Sequence, residues 1–181
     1  MLALSSPHDE FRVGRMGVLY QHLLRAGLAA GVLFAPATSF RDATVTSDGM
    51  HLELESQSKR DYVHTKYLIG ADGANSRVAR ALSLSQNREW IVGVEEVYDS
   101  RAMDAPPCLH CFLDPELAPG YIAWIAHDGA EMHVGVGGYG NRFDPNESLT
   151  RFLKEVPQFV PAQGLPMLER RGGRIPVGGL L

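Results

Sequence analysis

The sequence predicts an α/β segment followed by an antiparallel α+β sheet, and three observations carry that fold class. Apolar and polar residues alternate strictly over Met50-His51-Leu52-Glu53-Leu54-Glu55, the period of a strand with one buried face. An apolar run, Tyr67–Ala71, passes through small residues into a helical start at Arg77, and strand, small-residue turn and helix in that order make half of an α/β nucleotide-binding unit. Beyond Leu82 come four strand-like runs separated by Gly- and Pro-containing turns. The chain has 181 residues, 45% hydrophobic, 21% charged and 8% aromatic, an ordinary globular composition able to form a core without disulfides or a structural metal. Its net charge of −4, with no basic cluster, leaves no electrostatic footprint for nucleic acid or an anionic membrane.

The elements follow in order. Val18, Leu19, Leu23, Leu24, Ala26, Leu28 and Ala30 recur at helical spacing and Gly31 follows as a stop, so Gly17–Ala30 reads as an amphipathic helix. Val32-Leu33-Phe34, Thr38–Thr46 and Met50–Glu55 read as short strands, with Ser47-Asp48-Gly49 turning between the last two. Tyr62–Lys66 continues this small meander. Asn75 or Ser76 is placed to cap a helix over Arg77–Leu82. Trp90–Tyr98, Cys108–Leu113, Tyr121–Ala126 and Met132–Val136 are the later strands, with turns at Pro119-Gly120 and His127-Asp128-Gly129-Ala130. Asp144 caps a helix running to about Val156, with Pro145 first and Glu147 placed for a capping box. Periodicity is lost from Pro157, and the chain closes on a strand-like Gly172–Leu181.

The segment richest in chemistry is Tyr67-Leu68-Ile69-Gly70-Ala71-Asp72-Gly73-Ala74-Asn75-Ser76. At the end of a buried strand, Gly70, Ala71 and Gly73 would let a ligand touch backbone, and the helix beyond would offer unpaired N–H groups to an anion. A phosphate-bearing cofactor fits that geometry; so does a tight turn with a solvated Asp. The string strongly resembles the Asp-Gly motif of FAD-dependent oxidoreductases with the p-hydroxybenzoate hydroxylase fold, in the form common to their geranylgeranyl reductase-like and lycopene cyclase-like branch. The resemblance implies a partial FAD-binding domain, Rossmann-like and GR2-type, with a β-meander, followed by an antiparallel-sheet substrate domain. It places Gly70, Asp72 and Gly73 at the cofactor, with Asp72 and Gly73 beside the ribityl and pyrophosphate groups. Three residues after Ser76, where the family often carries Arg, this chain has Ala79 between Arg77 and Arg80. Phe11-Arg12-Val13-Gly14-Arg15-Met16-Gly17 and the helix after it resemble the family's Arg-containing passage into a helix, which implies Arg15 near the flavin; an exposed Arg at a helix start is the other reading.

Downstream, Pro119-Gly120-Tyr121-Ile122-Ala123-Trp124-Ile125-Ala126 with His133-Val134-Gly135-Val136-Gly137-Gly138 is similar to the substrate-sheet segment of that branch. The resemblance implies substrate contacts at Tyr121, Ile122 and Trp124. Strand alternation puts Ile122 and Trp124 on one face and points Tyr121 away from it. An apolar Ile beside Trp124 suits a hydrophobic or isoprenoid-like substrate, and a plain core strand explains the same residues.

Other patterns carry less. Gly135, Gly137 and Gly140 satisfy G-x-G-x-x-G, but no strand-to-helix unit with a ribose-binding acid follows, so a strand end with close backbone approach is the better reading. Cys108-Leu109-His110-Cys111 is a C-x-x-C with no second pair to complete a zinc site, and residues three apart on a strand face opposite sides, so both read as structural thiols. His127 and His133 could meet across their turn as surface polar packing. No metal site is expected, and no acid, base or nucleophile declares itself, as befits a protein whose cofactor carries the chemistry.

The expected organisation is residues 1–85 as the partial FAD-binding domain and 86–181 as the substrate sheet. The family's Gly-rich βαβ unit would precede this stretch and a Gly-Asp-Ala-like flavin segment would follow it, so the chain reads as an internal fragment, needing those segments for a full cofactor site and inactive alone. The implied activity is reduction of isoprenoid or other hydrophobic double bonds with FAD and NAD(P)H; hydroxylation of an aromatic or lipophilic substrate by a flavin monooxygenase, or a non-catalytic binding module, are the alternatives. The longest apolar stretch, Gly27–Ala37, is ended by Pro36 and falls short of the roughly 20 residues of a membrane span. Met1–Leu4 is too short for a signal-peptide core, and with two cysteines the expected compartment is a reducing cytoplasm.

Overall fold

The computed structural model describes residues 14–85, 87–102, 107–140, 143–155 and 164–177. The expectations resting on Phe11–Val13, Val156 and Gly178–Leu181 lie outside them. The elements are α1 (Met16–Ala29), β1 (Thr38–Val45), β2 (Met50–Ser56), β3 (Lys59–Thr65), α2 (Arg77–Ala81), β4 (Glu89–Asp99), β5 (Cys108–Phe112), β6 (Ala123–His127), β7 (Glu131–Tyr139), α3 (Pro145–Glu155) and β8 (Met167–Val177). They divide into two compact units. One holds the described residues up to Leu24 and those of Trp90–Ile175; the other holds Arg25–Glu89 with Pro176 and Val177. Among the described residues no helix is long and apolar enough to cross a membrane.

The Arg25–Glu89 unit is built on the antiparallel sheet β1-β2-β3. Alternation along β2 buries Leu52 while its neighbours stay partly exposed. The β2–β3 connection is a two-residue turn, since Ser56 pairs with Lys59, and Gln57 and Ser58 both take positive φ, 47° and 63°. That is the backbone of a type I′ hairpin, whose twist matches the strands it joins. The turn therefore starts β3 at Lys59, ahead of the apolar Tyr62-Val63, and Arg60 reaches Glu53 diagonally across the pair at 2.8 Å. A register shift between Phe40 and Asp42 bulges β1 at Arg41, whose guanidinium grips Glu55 with two hydrogen bonds of 2.9 and 2.8 Å.

Two expected strands are absent. Val32-Leu33-Phe34 and Tyr67–Ala71 have no regular structure, and Leu33, Tyr67 and Ile69 are 98%, 84% and 86% exposed. Both runs are apolar enough for a strand, but the sheet of this unit contains only β1, β2 and β3 among the described residues. Without a neighbour to receive its N–H and C=O groups, an apolar run makes no ladder.

The second unit is the antiparallel sheet β5-β6-β7-β4-β8. α3 covers one face: Leu149 and Phe152 lie fully buried with Ile125, Met132, Val134 and Val136, and Phe112 meets Phe152 edge-on at 4.9 Å. The helix starts where its sequence says, the Asp144 carboxylate accepting from the N–H groups of Asn146 (2.8 Å) and Glu147 (3.3 Å).

Candidate functional site

Within Arg25–Glu89, the turn before α2 is tied together by Asp72. Its Oδ2 accepts from the backbone N–H of Arg77 (2.6 Å) and Val78 (3.2 Å), and its Oδ1 from the Ser76 hydroxyl (2.5 Å). Ser76 is the N-cap and accepts from Ala79 N–H at 3.0 Å, which decides between the two candidate caps. The hydroxyl of Ser76 above all, then the helix N–H groups, hold the Asp72 carboxyl below the ordinary range. The N–H groups expected to wait for an anion are thus occupied by this chain's own side chains. The anion-binding property of a helix start is used here on Asp72 itself.

Gly70 and Gly73 differ. A Cβ on Gly70 would meet Val78 at 3.0 Å, so its smallness serves the packing of α2. Gly73 holds φ +82° with nothing within 4 Å of an added Cβ; the turn needs that conformation, and the space over it is open. Three of the roughly four acceptor positions of the Asp72 carboxylate are filled, leaving Oδ1 able to take one more donor, such as a ribityl hydroxyl. On these two points the turn fits a flavin nucleotide.

On the sheet face opposite α3, Glu95, Gly135, Trp124 and Cys111 stand in one cross-strand row. A side chain at Gly135 would collide with the indole of Trp124, one at Gly137 would lie 2.8 Å from the ring of Tyr121, and one at Gly138 would lie 2.8 Å from Pro119. Glycines of β7 thus form the floor on which the two rings rest. Tyr121 and Trp124 meet edge-on at 6.5 Å. This corrects the alternation argument: β6 begins only at Ala123, so Tyr121 lies in the preceding turn and its ring lies beside that of Trp124. Ile122, half-buried, accepts from Gly137 N–H at 3.1 Å. The glycine pattern is a packing device within β7, and Gly140 has nothing within 4 Å.

A polar cluster adjoins these rings. Glu95 accepts from Trp124 Nε1–H at 3.1 Å and from Arg171 Nε–H at 2.5 Å, with His133 Nδ1 3.7 Å away. The neighbouring His133 first, and then, against the cost of burial, the hydrogen bonds from Arg171 and Trp124, depress the Glu95 carboxyl to about 2. His133 is raised in turn, chiefly by Glu95 and against burial. Its Nδ1 also lies 3.2 Å from Arg171 Nη2. Arg is only a donor, so a neutral His133 accepts from Arg171 and a protonated one turns its N–H to Glu95. Sequence reasoning passed over this cluster. The signal available was Glu95-Glu96 standing inside the apolar run Trp90–Tyr98.

The remaining candidates separate. Arg15 precedes α1 and its Nε lies 3.9 Å from Asp128 in the β6–β7 turn. His127 pairs with Met132, which puts His133 on the other face, so the two imidazoles do not meet. Cys108 and Cys111 are free thiols on β5, and no metal-binding group of side chains occurs among the described residues.

The fold of this chain is shared with proteins of known structure whose complexes hold FAD. The chain belongs to the FAD binding domain family, whose model matches residues 16–141. Among solved structures it is similar to a geranylgeranyl bacteriochlorophyll reductase-like protein from Thermoplasma acidophilum, with a TM-score of 0.75 at 19% identity over 89% of this chain and 42% of that one. It is similar also to aklavinone-11 hydroxylase in its complex with FAD and aklavinone, with a TM-score of 0.66 at 17% identity over 88% of this chain and 32% of that one. A digeranylgeranylglycerophospholipid reductase of Methanosphaera stadtmanae is 27% identical over 170 residues. The match covers 91% of this chain and 42% of that protein. The resemblance to FAD-dependent oxidoreductases of the geranylgeranyl reductase-like branch is borne out.

Proposed function

We propose that this chain supplies flavin-contacting and substrate-contacting parts of an FAD-dependent oxidoreductase that reduces double bonds of an isoprenoid or similarly hydrophobic substrate. The observation that carries the reading is the aromatic pair Tyr121 and Trp124 resting on the β7 glycines, beside a reductase relative that acts on a geranylgeranyl lipid by name. In this reading residues 1–85 belong to the cofactor and 86–181 to the substrate. Asp72 takes a ribityl hydroxyl on its spare acceptor position, and Gly73 keeps the approach clear. Tyr121, Ile122 and Trp124 give the substrate an apolar wall that excludes water. When bound, FAD supplies the two-electron chemistry, with NAD(P)H as its reductant and the cytoplasm as its compartment.

Flavin titration followed by fluorescence tests the cofactor half: saturable binding that is lost in Asp72→Ala supports it, and equal binding by both proteins rejects the role of Asp72. The fold shared with aklavinone-11 hydroxylase favours hydroxylation as the second reading. Product mass from a protein of the relatives' length carrying this sequence, incubated with labelled oxygen, separates the two. Gain of two hydrogens without label supports reduction; incorporated label excludes it.

A further inference from the structure

We infer that Glu95 is a positioning residue, holding the Trp124 indole in place on the sheet face and so shaping the hydrophobic wall. The inference rests on the substrate role given to Trp124 above, and extends it to a residue that touches no substrate. Trp124 has two supports. From below, Gly135 leaves the space its ring fills. From the side, its Nε1–H donates to Glu95 Oε2 at 3.1 Å, a bond strengthened because the acceptor is ionised. Glu95 is itself fixed by Arg171, which adds its Nη1 to Glu169 at 3.5 Å, while Glu131 lies 3.6 Å from Nε2 of His133. Ring position is thereby set by β4 and β8, neither of which carries the ring. An indole with its N–H bound to a fixed carboxylate loses the second orientation that a free ring keeps about χ2, and a wall with one orientation selects substrates by shape.

The test uses the whole chain. It has two tryptophans, Trp90 and Trp124, so Trp124→Phe identifies the indole N–H resonance of Trp124 by its disappearance. Glu95→Leu is expected to speed solvent exchange of that N–H by at least about tenfold, whereas Glu95→Gln, which keeps an acceptor oxygen, holds it within about threefold of the parent. Because Glu95→Leu strands Arg171, Glu95→Leu/Arg171→Leu guards against simple misfolding and is expected to show the same fast exchange. Farnesol binding by calorimetry should weaken about tenfold in Glu95→Leu and be unaffected by that change in a Trp124→Phe background, where no N–H remains to be held. Unchanged N–H exchange, or an equal loss of farnesol binding with Phe at 124, overturns the positioning role. If farnesol binds neither parent nor variant, the isoprenoid reading fails while the exchange measurement still decides Glu95.

Discussion

Glu95 and His133 make opposite demands on pH, and their signs fix a window. The Glu95 carboxyl is depressed from 4.5 to about 2, so its contribution is present above pH about 4.5 and is lost as pH falls through the folded value. Its side chain is 17% exposed, and the shift corresponds to at most about 3 kcal/mol. His133 is raised above its ordinary 6.5, so its contribution is complete below about 6.5 and is lost as pH rises through the higher folded value. Stability measured by urea midpoint should therefore be highest between about pH 4.5 and 6.5 for this cluster, and His133→Gln should flatten the alkaline side and, because His133 is also the leading cause of the Glu95 depression, shallow the acid side while Arg171 and Trp124 keep part of it. A variant that keeps the full alkaline decline would reassign it to another group. Asp72 calls for a different test. Removing its carboxylate frees the N–H groups of Arg77 and Val78, which destabilises the start of α2 as the loss of a cap does. Asp72→Ala and Ser76→Ala should thus cost similar stability, while only the first affects FAD affinity strongly; equal effects on FAD would mean that the turn, rather than the carboxylate, binds it.

At the scale of elements, the glycines of β7 show how one pattern can be right in letters and wrong in meaning. Gly135 and Gly137 carry aromatic rings and Gly140 carries nothing within 4 Å, so Gly135→Ala is expected to cost about 1–3 kcal/mol through overpacking and Gly140→Ala to stay within about 0.5 kcal/mol, both read from denaturant midpoints. Equal costs would remove the packing explanation. The helices and the two sheets were legible because alternation, caps and turns act locally: Asp144 before Pro145, or the repeat Leu52-Glu53-Leu54, need no knowledge of the partner. The misread elements depended on partners. Tyr67–Ala71 carried a strand's apolarity but has no described strand beside it, and Gln57-Ser58 forms its positive-φ turn without the Asn-Gly or Asp-Gly that announces one. Tyr121 was assigned to the wrong side because alternation applies only within a strand, and β6 starts two residues later.

At the scale of the molecule, burial is uneven between the two units. In Arg25–Glu89 the buried apolar side chains among the described residues are Leu52 and Val78, whereas the sheet with α3 buries Ile91, Val94, Ile125, Met132, Val134, Val136, Leu149 and Phe152. α1 has no buried residue along its 14 positions, and a helix of that length without a packed face is marginal in water. Sequence periodicity foresaw α1 but could not weigh it, because an apolar stripe records what a face could bury and not what lies against it. Amide hydrogen exchange should consequently rank the chain: α1 fastest, β1–β3 and α2 next, β6 and β7 slowest and near the global limit. Ligand binding then becomes a local reporter. FAD at 100 times its dissociation constant adds about 2.7 kcal/mol to any opening that releases it, which slows exchange there by roughly a hundredfold. If Asp72 and Gly73 hold the cofactor, that slowing appears in 77–81, whose N–H groups at Arg77 and Val78 are bound to Asp72, and is much smaller in β6 and β7, which are already protected. Slowing confined to β6 and β7, with 77–81 unchanged, would put the flavin elsewhere and withdraw the Asp72 assignment.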